Sequence, residues 1–195
     1  MGFQTTSNQS AFIMGSCIVY VSGSTDKSTT TGLFVNLGSA RGVKVTESWD
    51  TMEVETDNTP PVLMGIKNQK VTIEGNLLEL NFEKLNYIRG GLSSYSTTTF
   101  TLNTGGGMTI TPQAVYLKHT AAASSSDTVI VTVYYATPTQ GLEIPFPSDN
   151  ATDVAEIPFK FEGECQSTRT AGSQLYNIVD GRANVYAVDY SRTTP

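Results

Sequence analysis

The stretch GVKVTESWDTMEVETDNTPPVLMGIKNQKVTIEGNLLEL, residues 42–80, decides the fold. Its two ends alternate with a period of two, the repeat of a strand with one face buried. Val43, Val45, Glu47 and Trp49 fall on one face, and Lys44, Thr46 and Ser48 on the other. At the far end Val71, Ile73 and Gly75 oppose Thr72, Glu74 and Asn76. Between the two lies residues 50–69, which carries Asp50, Glu53, Glu55 and Asp57, then Pro60-Pro61, then Val62, Leu63 and Met64. A tight hairpin needs only about 2–5 connecting residues, so this segment is expected as a long loop. It is amphipathic without helical spacing: Trp49, Met52 and Val54, then Leu63 and Met64, are interspersed with acids. A plain surface loop is one reading. The other is a projection whose apolar side chains are covered by a partner, because its own core is too far away.

Outward from this stretch the chain reads as strands and turns, with one helix. The helix is expected over 81–90: Asn81 can cap it, Phe82, Leu85 and Ile88 share a face, Arg89 sits in the last turn, and Gly90-Gly91 ends it. Strands are expected at 17–22, 33–37, 97–103, 108–118, 128–136, 141–146, 155–165 and 183–190, with a Gly/Ser/Thr-rich loop at 23–32. Residues 173–181 fit a helical turn or a strand. The domain is expected to span 17–190, between a polar N-terminal arm, 1–16, whose one apolar patch is Ala11–Met14, and a short tail, 191–195. A faint internal repeat runs through it: an Asp-Asn turn, a loop, then VTIEG at 71–75, and again an Asp-Asn turn, a loop, then FKFEG at 159–163.

Composition agrees with a mainly β chain. Of 195 residues 38% are hydrophobic and only 15% charged, with 17 Gly and many Thr and Ser. The net charge is −6. Tight binding to nucleic acid needs a basic face that displaces counterions from phosphate, and 12 basic residues are outnumbered here by 18 acids. Cys17 and Cys165 make neither a disulfide framework nor a metal site; both are expected reduced and partly buried, with one long-range disulfide as the alternative. No apolar run approaches the ~20 residues of a membrane span, and no secretory leader is recognisable, so synthesis in a cytoplasm is expected.

The search for chemistry finds no catalytic, cofactor or metal site. His119, the single histidine, lies at a strand end beside a Ser/Ala-rich loop and is expected as a solvent-facing turn residue. GSTDKST at 23–29 has Asp26 where a phosphate loop needs glycine. Gly105-Gly106-Gly107 reads as a hairpin tip, and Asp149, Asn150 and Asp153 as an Asx turn rather than a calcium loop. Glu162 and Glu164 are spaced for one strand face, roughly 7 Å apart, but lack an aromatic platform for sugar.

The segment GVKVTESWDTMEVETDNTPPVLMGIKNQKVTIEGNLLELNFEKLNYIRGG resembles the major tail (tail tube) proteins of long-tailed bacteriophages, and EIPFKFEGECQ resembles their closing strand. The shared pattern is a strand, a long acidic projection with an Asp-Asn turn, a strand ending in Glu-Gly, then one short helix. The resemblance implies a tail-tube-type β-sandwich or half-barrel with one short flanking α-helix. It implies no enzyme and no cofactor. It implies hexameric rings stacked into a tube, in the tail of a virion, through which DNA passes during ejection without specific binding. Implied partners are further copies of the chain, the tape-measure protein and the tail-tip and terminator proteins, with no membrane. On this pattern Trp49, Met52, Val54, Asp57, Pro60, Pro61, Leu63 and Met64, in the 50–69 inter-ring loop, reach the neighbouring ring. Lys44, Thr46, Thr72, Glu74, Lys160 and Glu162 are the lumen candidates. The competing reading is a β-sandwich module that binds a glycan or a receptor.

Overall fold

The computed structural model describes residues 17–22, 34–56, 59–79, 82–90, 93–96, 101–104, 106, 109–120, 128–146 and 155–181. At 53–56, 59–64, 82–83, 93–96 and 101–104 it describes the backbone only. The elements in chain order are β1 (Cys17–Ser22), β2 (Phe34–Thr56), β3 (Thr59–Leu77), α1 (Phe82–Ile88), β4 (Ser93–Ser96), β5 (Thr101–Thr104), β6 (Gln113–Thr120), β7 (Thr128–Pro138), β8 (Ile157–Gly163) and β9 (Tyr176–Asp180). The fold is mainly β with one short helix, as the sequence indicates.

The main sheet runs β6-β1-β2-β3-β8-β7-β9, and β6 also pairs with β7. That extra ladder closes six strands into a barrel, with β9 lying beside the first half of β7. All the ladders are antiparallel. Closure is what lets short alternating strands bury one face each without leaving open edges. β8 shows the result: Ile157, Phe159, Phe161 and Gly163 are buried, and Pro158, Lys160 and Glu162 alternate outward. The interior is filled by Val19, Val21, Leu37, Val71, Ile73, Leu77, Val115, Val133, Phe159 and Phe161. Each of the larger side chains contributes about 1.5–3 kcal/mol by leaving water.

The two copies of the faint repeat are paired with each other. β3 and β8 run antiparallel with Val71 opposite Gly163, Ile73 opposite Phe161, and Gly75 opposite Phe159. Each copy therefore places its first apolar residue beside the other copy's glycine. A Cβ on Gly163 would lie 2.5 Å from Val133 Cγ1 and 2.6 Å from Val71 Cγ1. One on Gly75 would lie 2.9 Å from Val43 Cγ2 and 3.1 Å from Phe159 Cζ. The Glu-Gly ending is a packing requirement: the glycine is the hole that the partner strand fills.

β2 is one strand serving two structures, and irregularities divide it. At Gly42, with φ 63°, residues Gly42 and Val43 stand opposite Gly75 alone. Further along, Ser48 pairs with Lys70 and Asp50 with Lys67, so β3 carries the extra residue there. That second bulge contains Asn68, at φ 53°, a conformation asparagine tolerates better than most residues. Its amide donates to Asp50 Oδ2 at 2.8 Å. Bulges bend and twist a ladder, so this one re-aims the strands as they leave the barrel.

α1 packs against β2, β4 and β5. Leu85 and Ile88, three apart, are buried on one face. Gly90, at φ 64°, donates to Tyr87 O at 3.0 Å and ends the helix. Its carbonyl accepts from Thr111 N at 2.9 Å, which ties the helix end to the approach to β6.

Several expectations are corrected. Residues 50–69 are no loop among the described residues: β2 and β3 run on as a paired ribbon, with Thr56 opposite Thr59. Residues 141–146 lie in no strand, although Leu142 and Ile144 pack on the core and Glu143 is exposed; an extended segment alternates in the same way without a ladder partner. The strand expected over 108–118 is β6, beginning only at Gln113, and the strand at 173–181 is Tyr176–Asp180. Gly106, expected at a hairpin tip, lies in a turn between β5 and β6, which belong to different sheets. The arm 1–16, the loop 23–32, Asn81, Gly91, the turn at 149–153, the strand at 183–190 and the tail lie outside the described residues.

Candidate assembly surface

From Glu47 and Val71 onward the β2–β3 ribbon leaves the barrel. β1 pairs with β2 only as far as Ala40, and β8 pairs with β3 only from Val71. Among the described residues, therefore, neither outer edge of the ribbon has a strand beside it. Its described side chains are open as well. Trp49 is 50% exposed, Met52 46% and Ile66 63%. Met52 lies across Gly65, its cross-strand partner, with its methyl 3.7 Å from where a Cβ would stand. Two unpaired edges with three large apolar residues are a liability for an isolated chain and a template for another one.

Of the residues expected to contact a partner, Trp49 and Met52 are on this ribbon with exposed side chains. Val54, Pro60, Pro61, Leu63 and Met64 are on it by backbone position, Val54 opposite Leu63. Asp57 lies outside the described residues. The prolines fall at the start of β3, in the irregular stretch between Thr59 and Leu63 where neither has a partner on β2, so their missing N–H groups break no regular ladder. Ile66 escaped the sequence reading, although it lies in the same apolar-bearing segment as Leu63 and Met64.

The ribbon's root is fastened to the barrel. Tyr176 OH donates to Glu47 Oε2 at 2.8 Å, and Gln69 Nε2 donates to Glu47 Oε1. One carboxylate thus links β2, β3 and β9. The bond to Glu47 raises the Tyr176 phenol above its ordinary range, with burial adding to it. The same residues line an open cleft of about 290 Å³ with Cys165, Gly172, Gln174 and Leu175. Tyr176, 129 residues from Glu47, could not be found from local sequence.

The six expected lumen residues come together. Lys44, Glu74 and Lys160 stand opposite one another across β2, β3 and β8, and Thr46, Thr72 and Glu162 form the next row. Both rows lie on the face away from Val71, Ile73, Phe159 and Phe161. Lys44 Nζ is 3.7 Å from Glu74 Oε1, an exposed pair worth about 0–1 kcal/mol. The signs cancel: two lysines and two glutamates share the patch. Arg41 and Glu156 add a further ion pair beside it.

His119 is corrected: it is 7% exposed, and its Nε2 has no hydrogen-bond partner among the described residues. Cys17 is half-buried and Cys165 exposed, so only the first matches expectation; both are free thiols. Burial pushes the Cys17 thiol up to about 11. Glu162 is on β8, but Glu164 lies past its end and is exposed, so the two do not form a strand-face pair. Among the described residues no three His, Cys, Asp or Glu side chains gather as metal ligands. No helix among them is long and apolar enough to cross a membrane.

No family model matches the sequence, and no curated protein matches it. Solved structures do resemble it. One is a chain of an extracellular contractile injection system, the PVC sheath–tube complex in the extended state, at 15% identity, covering 91% of this chain and 99% of that chain, with a TM-score of 0.48. Another is the anti-feeding prophage cap, the AFP tube terminating cap, at 14% identity, covering 84% and 87%, with a TM-score of 0.46. A third is the tail of an empty GTA particle, refined helically with C6 symmetry, at 11% identity, covering 74% and 88%, with a TM-score of 0.40. Those chains come from tube, cap and tail assemblies. The likeness is loose, and a functional reading has to stand on this chain's own geometry.

Proposed function

We propose that this chain is a structural subunit of a phage tail tube, which polymerises as stacked hexameric rings and serves as the conduit for DNA during ejection into the host. The observation that carries the reading is the β2–β3 ribbon: a fastened root, two unpaired edges, and Trp49, Met52 and Ile66 open to solvent. In an assembled tube the ribbon lies against a copy in the neighbouring ring, which covers its apolar side chains and leaves the barrel core untouched. Val54, Pro60, Pro61, Leu63 and Met64 belong to the same contact by position. The tape-measure protein and the tail-tip and terminator proteins are the other partners of such a subunit. Its place is the virion tail, after synthesis in the host cytoplasm.

The mixed-charge rows support the conduit role. With Lys44, Glu74, Lys160 and Glu162 facing the lumen, the wall offers phosphate no net attraction, and the chain's −6 adds to that. A basic wall would hold DNA by counterion release; a balanced one lets it slide. No catalysis is needed for passage.

The test is deletion of residues 52–66. The shortened protein keeps its barrel, measured by circular dichroism and a cooperative melt, and forms no tubes in electron micrographs at concentrations where the full chain does. Loss of the fold on deletion would mean that the ribbon is core and the proposal is wrong.

A further inference from the structure

Away from the ribbon, the described surface carries a knob and a hole. The knob is Phe146, 87% exposed and the barest of the large apolar side chains described. It ends the segment that runs out from Gly141, in which Leu142 and Ile144 pack on the core while Glu143 stays exposed. Pro145 and Pro147 flank it in the sequence and restrict the backbone on both sides, so little freedom is lost when the ring docks. The hole is an open cavity of about 330 Å³ lined by Arg89, Ile110, Pro138, Thr139 and Gly141, among others. It forms where the end of α1, the approach to β6 and the end of β7 meet. Thr111 N donates to Gly90 O at 2.9 Å and Thr139 N to Lys160 O at 3.0 Å, so its walls are fixed before anything enters. Its volume falls within the about 300–1,000 Å³ of binding pockets.

Knob and hole do not meet within one chain, since Phe146 is nearly bare. Their charges match. Arg89 in the hole and Glu143 beside the knob have no ion-pair partner among the described residues. Gly141 leaves room for a ring, because a Cβ there would have nothing within 4 Å. We propose that Phe146 of one copy seats in the hole of a second copy, its ring against Ile110 and Pro138, with the Glu143 carboxylate brought to the Arg89 guanidinium. The two patches differ, so the contact is heterologous: each copy gives its knob to one neighbour and receives a knob from another. Such a contact makes closed rings or helical filaments, and not two-fold dimers. The inference rests on the reading of the chain as a self-assembling subunit, and adds to it a second joint that does not involve the ribbon.

The test reads assembly of the full chain by sedimentation over a concentration series. Phe146 lies outside the core, so Phe146→Ala melts like the parent, and the concentration it needs for assembly rises by about tenfold or more. Arg89→Glu and Glu143→Arg each raise that concentration as well, and the double variant returns towards the parent. Cross-linking locates the contact. Chains carrying Gly141→Cys and Pro145→Cys, each with Cys165→Ser, are mixed before assembly under mild oxidant. The mixture gives a disulfide-linked dimer, and neither chain gives one alone. A Phe146→Ala chain that assembles as readily as the parent, or a charge exchange without rescue, overturns this inference and leaves the ribbon contact standing. Gly141→Cys chains that link to themselves overturn it in favour of a two-fold contact. A parent chain that stays monomeric at every concentration overturns this inference together with the assembly reading beneath it.

Discussion

Replacing Gly163 with alanine tests the idea that the Glu-Gly endings are paired holes. The new Cβ would meet Val133 Cγ1 at 2.5 Å and Val71 Cγ1 at 2.6 Å, both well inside contact distance and both on buried strands. Overpacking of this kind costs about 1–3 kcal/mol. The loss of backbone freedom in the unfolded chain returns about 0.4–1 kcal/mol, leaving a net loss of roughly 1–2 kcal/mol. Val71→Ala alone removes two buried carbons at ~0.8 kcal/mol each, with a cavity term on top. In the double variant the new methyl occupies part of the space that Val71 gave up, so the two losses do not add. The expected coupling is about 1 kcal/mol in the favourable direction, within the range seen for touching residues. Urea denaturation of the four proteins measures it: with a slope of about 2 kcal/mol per molar, Gly163→Ala shifts the midpoint down by roughly 0.5–1 M. A Gly163→Ala protein as stable as the parent, or strictly additive losses, would refute the packing argument.

Gly90→Ala is expected to cost about 1–3 kcal/mol, because φ 64° strains any Cβ and this one would also meet Pro138 Cγ at 2.9 Å; a thermal melt reads it. Tyr176→Phe should alter stability at alkaline pH. The folded phenol titrates above its unfolded value of about 10, so its contribution is whole below that pH and is lost as pH rises through the folded value. The variant therefore loses less stability than the parent above pH 10, measured by urea midpoints from pH 8 to 11. Glu74→Lys with Glu162→Lys turns the mixed rows basic. That variant should bind duplex DNA with a salt slope of about 0.9 per phosphate contacted, where the parent binds none at physiological salt, as read by a filter or gel-shift assay.

Much of the barrel was legible because half-buried strands write their period into the sequence. Residues 71–75 and 157–163 alternate plainly, and the structure turns the apolar face of each inward; along 43–49 the same period is written, but Val45 and Trp49 stay exposed where β2 leaves the barrel. The helix was legible from Leu85, Ile88 and Gly90. Ladder partners were not, since pairing such as Cys17 with His119 joins distant segments and leaves no local trace. That is why His119 read as a surface residue: its strand end is buried by β1 and β7, which the sequence around it does not mention. The ribbon misled for a different reason. Prolines and acids usually mark loops, but a free-standing edge tolerates both, because it has no outer ladder to satisfy. The candidate site was legible as composition, in Trp49 and Met52, and not as shape. The grouping of Lys44, Glu74 and Lys160 followed from the period alone once the three strands were neighbours. Tyr176 and its bond to Glu47 could come only from the fold.

The account turns on whether the ribbon's apolar residues are sheltered by a second molecule, and Trp49, the single tryptophan, reports on it directly. Its fluorescence and its quenching by acrylamide are measured on dilute protein and again on sedimented assemblies. The expected result is an open, readily quenched indole in the dilute chain that becomes blue-shifted and shielded in hollow tubes. An indole already shielded in the dilute chain, or one still as open after assembly, would contradict the central claim.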